Sequence, residues 1–264
     1  MVRRLAPSRI VALALLCAVA GACQRVVQTT PEPLVTDRPD FTESSDAVAA
    51  GHVQVESGAT FTKSGESKSH SLGEVLVRVG ILSRAELRIG LNSFAIDRTG
   101  GVHSSGFEDA AIGVKYRFAE GGGKGSIRPA MAFIAMTSLP TGGAPFRQPL
   151  LQPGGKLTAA WDITDRASFS SNVNYFMVRS SAATSGEWAS SGSLGISLTD
   201  RVGSYFEYFG FYPTASGAAA SHYANAGVTL GIGPNLQVDA RAGTGLRNVR
   251  GSDYFIGLGV ARRW

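Results

Sequence analysis

The chain has 264 residues, of which 44% are apolar and 17% charged, with 33 glycines; ordinary soluble domains carry about 25% charged residues and about 7% glycine. Thirteen Phe, seven Tyr and three Trp bring too much apolar surface for a disordered chain, and the glycines lack the three-residue period of collagen. The formal charge of +5 suggests a nucleic-acid partner, but Arg3, Arg4 and Arg9 stand before an apolar run whose removal leaves +2, so no nucleic acid is expected.

That run, Ile10 to Cys23, follows a basic start and ends in Ala20-Gly21-Ala22, the pattern of a signal peptide over residues 1–22. It is shorter than the roughly 20 apolar residues of a membrane helix. Both cysteines, Cys17 and Cys23, lie within it or at its end, so no disulfide framework is expected. Ala20-Gly21-Ala22-Cys23 also resembles a bacterial lipoprotein cleavage site, which would make Cys23 a lipidated residue.

Residues 23–50 are rich in Thr, Pro, Asp and Ser, with Pro31, Pro33 and Pro39 and no sustained apolar period, and read as an extended periplasmic arm. The texture changes over residues 51–264. Val53, Val55, Ala59 and Phe61 alternate with Gln54, Glu56, Gly58 and Thr60, the two-residue period of a strand with unlike faces. The pattern recurs at Val75–Ile81, Leu87–Leu91, Ala110–Phe118, Met131–Ala135, Leu157–Trp161, Phe169–Met177, Leu194–Leu198, Phe206–Tyr208, Ala224–Leu230, Leu236–Ala242 and Ile256–Val260. About twelve strands of roughly 9–11 residues are expected, the length a tilted membrane strand needs.

Tight turns are expected at Ser83-Arg84, Thr164-Asp165-Arg166, Thr199-Asp200-Arg201 and Gly233-Pro234-Asn235, with a Gly-rich turn at Gly121–Gly125. Longer loops are expected at 63–70, 95–105, 138–149, 180–186, 213–221 and 247–252. Short turns on one rim and long loops on the other describe an outer-membrane barrel. A soluble sandwich gives the same alternation, but here Glu74, Arg78, Glu86, Arg88, Lys115, Arg117, Lys156, Asp162, Glu207, Asp239 and Arg241 share one face, while the other is almost free of charge. Hydrocarbon penalises a mid-strand charge by about 2–4 kcal/mol and water does not. Phe61, Phe118, Trp161, Trp188, Tyr254 and Trp264 gather near strand ends like an interfacial girdle. The closing alternation onto Trp264 resembles the signal read by barrel-assembly machinery. The fold class expected is therefore all-β, a transmembrane antiparallel up-and-down barrel whose partners are membrane lipid and a small-molecule solute, with Arg262 near the headgroups.

Motifs for chemistry are weak. Gly121–Ser126 has the flavour of a phosphate loop, but Phe118 stands where a Walker sequence needs Gly, and Gly125 rather than Ser or Thr follows Lys124. No two of His52, His70, His103 and His222 have metal-ligand spacing, so neither metal nor cofactor is expected. His103-Ser104-Ser105, with Asp97 or Glu108 to orient the His, invites comparison with outer-membrane lipases, although a Gly-flanked loop is the simpler reading. The inward charges have two readings as well. They set the selectivity of a channel, or Glu74 with Arg78, Glu86 with Arg88 and Asp239 with Arg241 neutralise one another in a filled, non-conducting barrel.

Thr36-Asp37-Arg38-Pro39-Asp40-Phe41-Thr42-Glu43-Ser44, Ser138-Leu139-Pro140-Thr141-Gly142, the Thr-Asp-Arg turns and the ending from Asp253-Tyr254-Phe255 to Arg262-Arg263-Trp264 resemble the outer-membrane transporter family named for the meta-pathway of phenol degradation. The resemblance runs from about Thr36 to Trp264. It implies a Gram-negative outer-membrane barrel associated with movement of small, often aromatic, compounds. From the residues themselves, Asp37, Arg38, Asp40 and Glu43 around the rigid Pro39 suggest an arm that folds into the lumen as a plug and pairs with Arg78, Arg88, Lys115 or Arg117; the alternative is a flexible periplasmic tail. The function expected is a channel or transporter without catalysis, the alternatives being a structural barrel or a lipid hydrolase.

Overall fold

The structure is a computed structural model that describes residues 34–179, 183–247 and 253–264. Its strands are β1 (Val53–Ser64), β2 (Ser67–Leu82), β3 (Ala85–Gly90), β4 (Phe94–Thr99), β5 (Val102–Phe107), β6 (Ala110–Ala119) and β7 (Ala130–Leu139), then β8 (Gln152–Asp162), β9 (Ala167–Arg179), β10 (Thr184–Ser197), β11 (Val202–Pro213), β12 (Ser221–Gly231), β13 (Leu236–Arg247) and β14 (Tyr254–Arg263). All pairings are antiparallel, and β14 returns to β1 from Gln54↔Arg263 to Lys63↔Tyr254, closing the sheet. One half of β2 pairs with β3 and the other with β4, while β3 pairs with β6 and β4 with β5. β3 with β4, and β5 with β6, are thus halves of single staves, and the fourteen strands make the expected twelve-stranded barrel. The signal peptide and Cys23 lie outside the described residues.

The alternation read from sequence becomes an inside-out protein. Val114 is 42% exposed, Lys115 0% and Tyr116 51%; Phe206 is 60% exposed and Glu207 0%. Leu157, Val173, Leu194, Val228, Ile256 and Leu258 continue the exposed apolar band, and a surface of that composition needs lipid rather than water against it. Within the apolar band each stave is hydrogen-bonded to a neighbour on both sides, as hydrocarbon requires; β5, beyond that band, pairs with β4 alone among the described strands.

Two of the six expected loops are strand instead, and those expected at 180–186 and 247–252 lie in part outside the described residues. Residues 63–70 and 95–105 form the ends of β1 and β2 and most of β4 and β5, joined at Gly65 and at Gly100-Gly101. Both glycines of the second turn have positive φ, as a two-residue hairpin turn matching strand twist demands. These staves reach beyond the apolar band, where both faces are polar, so no two-residue hydrophobic period marks them. The expected tight turns fall between β2 and β3, β8 and β9, β10 and β11, and β12 and β13, on the rim from which β1 starts and where β14 ends.

Candidate functional site: an arm-filled lumen

Residues 34–52 run through the lumen and back to the start of β1. Near the rim, Val35 carbonyl accepts from Gln54 (2.9 Å) and Arg78 (3.2 Å), and Gln237 donates to Thr36 Oγ1 (3.0 Å). Near the return, Val48 N–H donates to Glu86 (2.6 Å) and Gly51 N–H to the Gly80 carbonyl (3.0 Å).

Asp37 is the hub of the ionic side. Its carboxylate meets Arg88 Nη1 at 2.5 Å, Lys115 Nζ at 2.9 Å and Arg78 Nη1 at 3.4 Å, and its N–H donates to Glu56 at 3.1 Å. Arg78 also binds Glu86 and Glu56, each at 2.9 Å, and the Asp46 carbonyl at 2.9 Å. Glu43 bridges Arg88 (3.0 Å) and Lys156. Burial pushes the Asp37 carboxyl up, but Arg78, Lys115 and Arg88 outweigh it and hold the group well below the ordinary carboxylate range. Burial likewise raises Glu43, and Arg88 and Lys156 reverse the sign. Lumen charges therefore form one connected network with the arm.

Arg38 lies flat against the wall where β1 meets β14. It donates to Glu74 (2.8 Å) and the Leu258 carbonyl (3.2 Å), with Asp239 at 3.8 Å. Gly58 and Gly259 face each other across that pairing, and a Cβ on either would sit 2.2 Å or 2.4 Å from the guanidinium group. Gly80 does the same for the return leg, since a Cβ there would lie 2.0 Å from the Ala49 carbonyl oxygen. Opposite Ser57, β2 bulges with Glu74 and Val75 against one residue, and Gly73 and Glu74 take φ of 98° and 24°. The bulge re-aims Glu74 toward Arg38 at the cost of an unfavourable backbone conformation for a non-glycine residue.

The far wall holds the arm differently. Glu207, fully buried, accepts from the N–H groups of Phe41 (2.9 Å) and Thr42 (2.6 Å), from Thr42 Oγ1 (2.6 Å) and from Asn225 (2.6 Å). Among the described residues it has no ion-pair partner; four neutral donors satisfy the carboxylate instead. Asp40 lies beside it, and burial, then the Glu207 charge, push the Asp40 carboxyl well above its ordinary range, against a bond from Ser193. Arg241 donates to the Pro39 carbonyl (2.8 Å) and Thr60 (3.0 Å). On the rim side of Asp40 a cavity of about 270 Å³ remains, walled by Ser168, Ser170, Ser193, Ser204, Tyr205 and Thr229.

Of the charges expected to face inward, Arg78, Glu86, Arg88, Lys115, Glu207 and Asp239 are buried, whereas Asp162 is exposed at a strand end. Glu86 pairs with Arg88 at 2.8 Å as the neutralising alternative expects. Glu74 is turned to Arg38 instead of Arg78, and Asp239 faces Arg38 rather than forming an ion pair with Arg241. Arg117 meets Asp46 (3.2 Å) and Glu120, not the three arm carboxylates proposed for it. Sequence reasoning passed over Glu56, Asp46 and the aromatic group Phe41, Phe209, Phe211, Tyr223 and Phe255. Glu56 sits at an inward position of the first alternating segment, a signal that was there to read.

The lipase comparison does not assemble around Asp97. His103 and Ser105 lie on strand β5, not in a loop. In the β4–β5 register Asp97 is opposite Ser104 and His103 opposite Arg98, so alternation puts Asp97 on the other face from His103 and Ser105. Asp97 accepts from Ser69, and Glu108 from Ser71 (3.3 Å).

A closed twelve-stranded barrel with an apolar belt and a charged interior has the fold of an outer-membrane β-barrel. The chain belongs to the family described as "Putative MetA-pathway of phenol degradation", which matches residues 36–264. Among solved structures it is similar to an outer membrane channel from Pseudomonas putida F1, at 10% identity and a TM-score of 0.65 over 87% of this chain and 100% of that one. It is also similar to the NanC porin (10% identity, TM-score 0.52, 80% and 98% covered) and the KdgM porin (10%, 0.52, 79% and 98%). No curated protein matches it in sequence.

Proposed function

We propose that this barrel is a passive channel for small compounds, aromatic ones included, whose lumen is kept narrow by its own arm. The observation that carries this reading is the unequal filling of the interior. The arm fills the ionic side around Asp37, whereas a hydroxyl-lined cavity persists beside Asp40 and Ser193. A barrel built only as a scaffold has no need of that space, and twelve strands enclose more room than the eight whose side chains alone fill a lumen. The charged network of Asp37, Arg78, Arg88 and Lys115 then excludes strongly charged solutes by leaving them no unpaired partner, and neutral compounds pass more readily. The chemistry the family is named for, and the channel and porin names of the similar structures, agree with this reading.

Solute flux into liposomes holding the purified full-length chain tests it. Benzyl alcohol and other neutral aromatic compounds are expected to enter several-fold faster than into empty liposomes, with aromatic carboxylates behind them. Equal flux with and without protein for every solute would favour the second reading, a non-conducting barrel, for which the near-complete burial of Arg78, Glu86 and Lys115 is the supporting observation.

A further inference from the structure

The interior of a membrane barrel is expected to be polar, yet five aromatic rings meet inside this one. Phe209, Tyr223 and Phe255 are buried from β11, β12 and β14, and Phe41 of the arm and Phe211 pack against them. Phe209 is sandwiched: Phe41 stacks on it at 4.8 Å and 16°, and Tyr223 at 4.9 Å and 12°. Phe211 stands edge-on to Phe41 at 5.4 Å and 75°. Three of these rings belong to neighbouring strands in register, Phe209 opposite Tyr223 with Phe211 two residues on. The wall makes room for a fourth, because a Cβ on Gly243 would lie 2.2 Å from the Phe255 ring. Only Phe41 is brought in by a segment outside the barrel wall.

The rings have a polar border. Along β12, Ser221 and Asn225 flank Tyr223 on the inward face, with relative exposures of 1% and 3%. Ser221 Oγ and Asn225 Oδ1 have no hydrogen-bond partner among the described residues, a costly state for buried polar atoms. Glu207 lies opposite Asn225 in the β11–β12 register and Arg241 stands 5.6 Å from the Phe255 ring, so the border carries one charge of each sign and, beside Asn225, accepts hydrogen-bond donors.

We infer that Phe209, Phe211, Tyr223 and Phe255 form a binding site for a planar, neutral aromatic compound bearing a hydroxyl group, and that Phe41 is a tethered occupant which the compound displaces. A flat ring taking the place of Phe41 keeps the face-to-face contact with Phe209 and the edge contact with Phe211. Its hydroxyl is offered the unmet Asn225 Oδ1, which borders Phe41 through the Glu207 carboxylate that both bind. Displacing Phe41 also draws Thr42 and its backbone donor away from Glu207, which loosens the arm at its inner turn. Occupancy of the site and release of the arm are therefore linked. This deepens the channel reading and rests on it for its purpose, although binding itself does not require conduction.

Binding of 2-naphthol to the detergent-solubilised full-length chain, followed by the naphthol's own fluorescence, tests the site separately from flux. A ligand that competes with a resident side chain binds with an affinity reduced by the fraction of time the site is vacant. Phe41→Ala is accordingly expected to bind 2-naphthol about tenfold more tightly than the parent, and Phe41→Leu, which keeps an apolar side chain without a ring, to fall between them. Adding Phe209→Leu to Phe41→Ala should cancel the gain. Against Phe41→Ala, 2-naphthol is expected to outcompete its saturated counterpart decahydro-2-naphthol. Unchanged affinity in both Phe41 variants, each confirmed as a folded barrel by heat-dependent gel migration, would overturn the inference, as would a gain that survives Phe209→Leu. If flux is absent but the Phe41 variants gain affinity, the site stands and the channel reading fails; flux without any gain gives the reverse.

Discussion

Deleting residues 34–46 is expected to raise the single-channel conductance of the barrel several-fold in planar bilayers. The wall of twelve staves does not need the arm to close, because β1 pairs with β14 and β2 through the strands themselves. What the deletion removes is Asp37, Asp46 and Glu43 from between Arg78, Arg88, Lys115, Arg117 and Lys156. Water then occupies the space, and, because Asp40 and Arg38 leave as well, the lumen loses four carboxylates against one cation. The enlarged pore should therefore shift toward anion selectivity, measurable as a change in reversal potential under a salt gradient. Conductance and selectivity both equal to those of the full chain would mean that the arm does not restrict passage.

Arg78→Ala is expected to be the most damaging single substitution in the lumen, lowering stability by about 3–5 kcal/mol, the range for breaking a buried ion pair on one side. Arg78 is 1% exposed and touches Glu86, Glu56 and Asp37 as well as the Val35 and Asp46 carbonyls. Its loss leaves Glu56 without its cation and Glu86 with only part of its own. The cost should shrink when the same substitution is made in the arm-deleted chain, since hydrated carboxylates no longer need a partner. Urea unfolding in detergent, followed by tryptophan fluorescence, measures both. An equal cost in the two backgrounds would show that Arg78 serves the wall rather than the arm.

Much of the barrel was legible because lipid and lumen impose opposite demands on adjacent residues. Lys115 between Val114 and Tyr116, and Glu207 next to Phe206, announce two faces in a single glance at the sequence. The twelve staves followed from this. The β4–β5 hairpin was not legible, since Asp97, Arg98, His103 and Ser104 lie where neither face meets hydrocarbon, and only Gly100-Gly101 marks the turn. Charges on the strands could be assigned to the interior, but their partners could not. Which cation meets Asp37 depends on how an irregular segment without periodicity crosses the lumen, and Glu74 meets Arg38 only because a bulge at Gly73 re-aims it. The aromatic site was hidden by the rule that revealed the barrel. Phe209, Phe211 and Tyr223 occupy inward positions in segments already rich in outward aromatic residues, so the alternation there looks blurred rather than informative.

Gly58, Gly80 and Gly259 leave a record of the arm in the wall itself. Nothing in strand pairing asks for a bare Cα at these places; the guanidinium of Arg38 and the carbonyl of Ala49 do. In a homologous barrel that has lost its leading segment, selection to keep these sites small relaxes, and larger residues should accumulate at all three together. An aligned set of sequences would then sort into lineages with and without a resident segment from three wall positions alone, even where the N-terminal region is too divergent to compare.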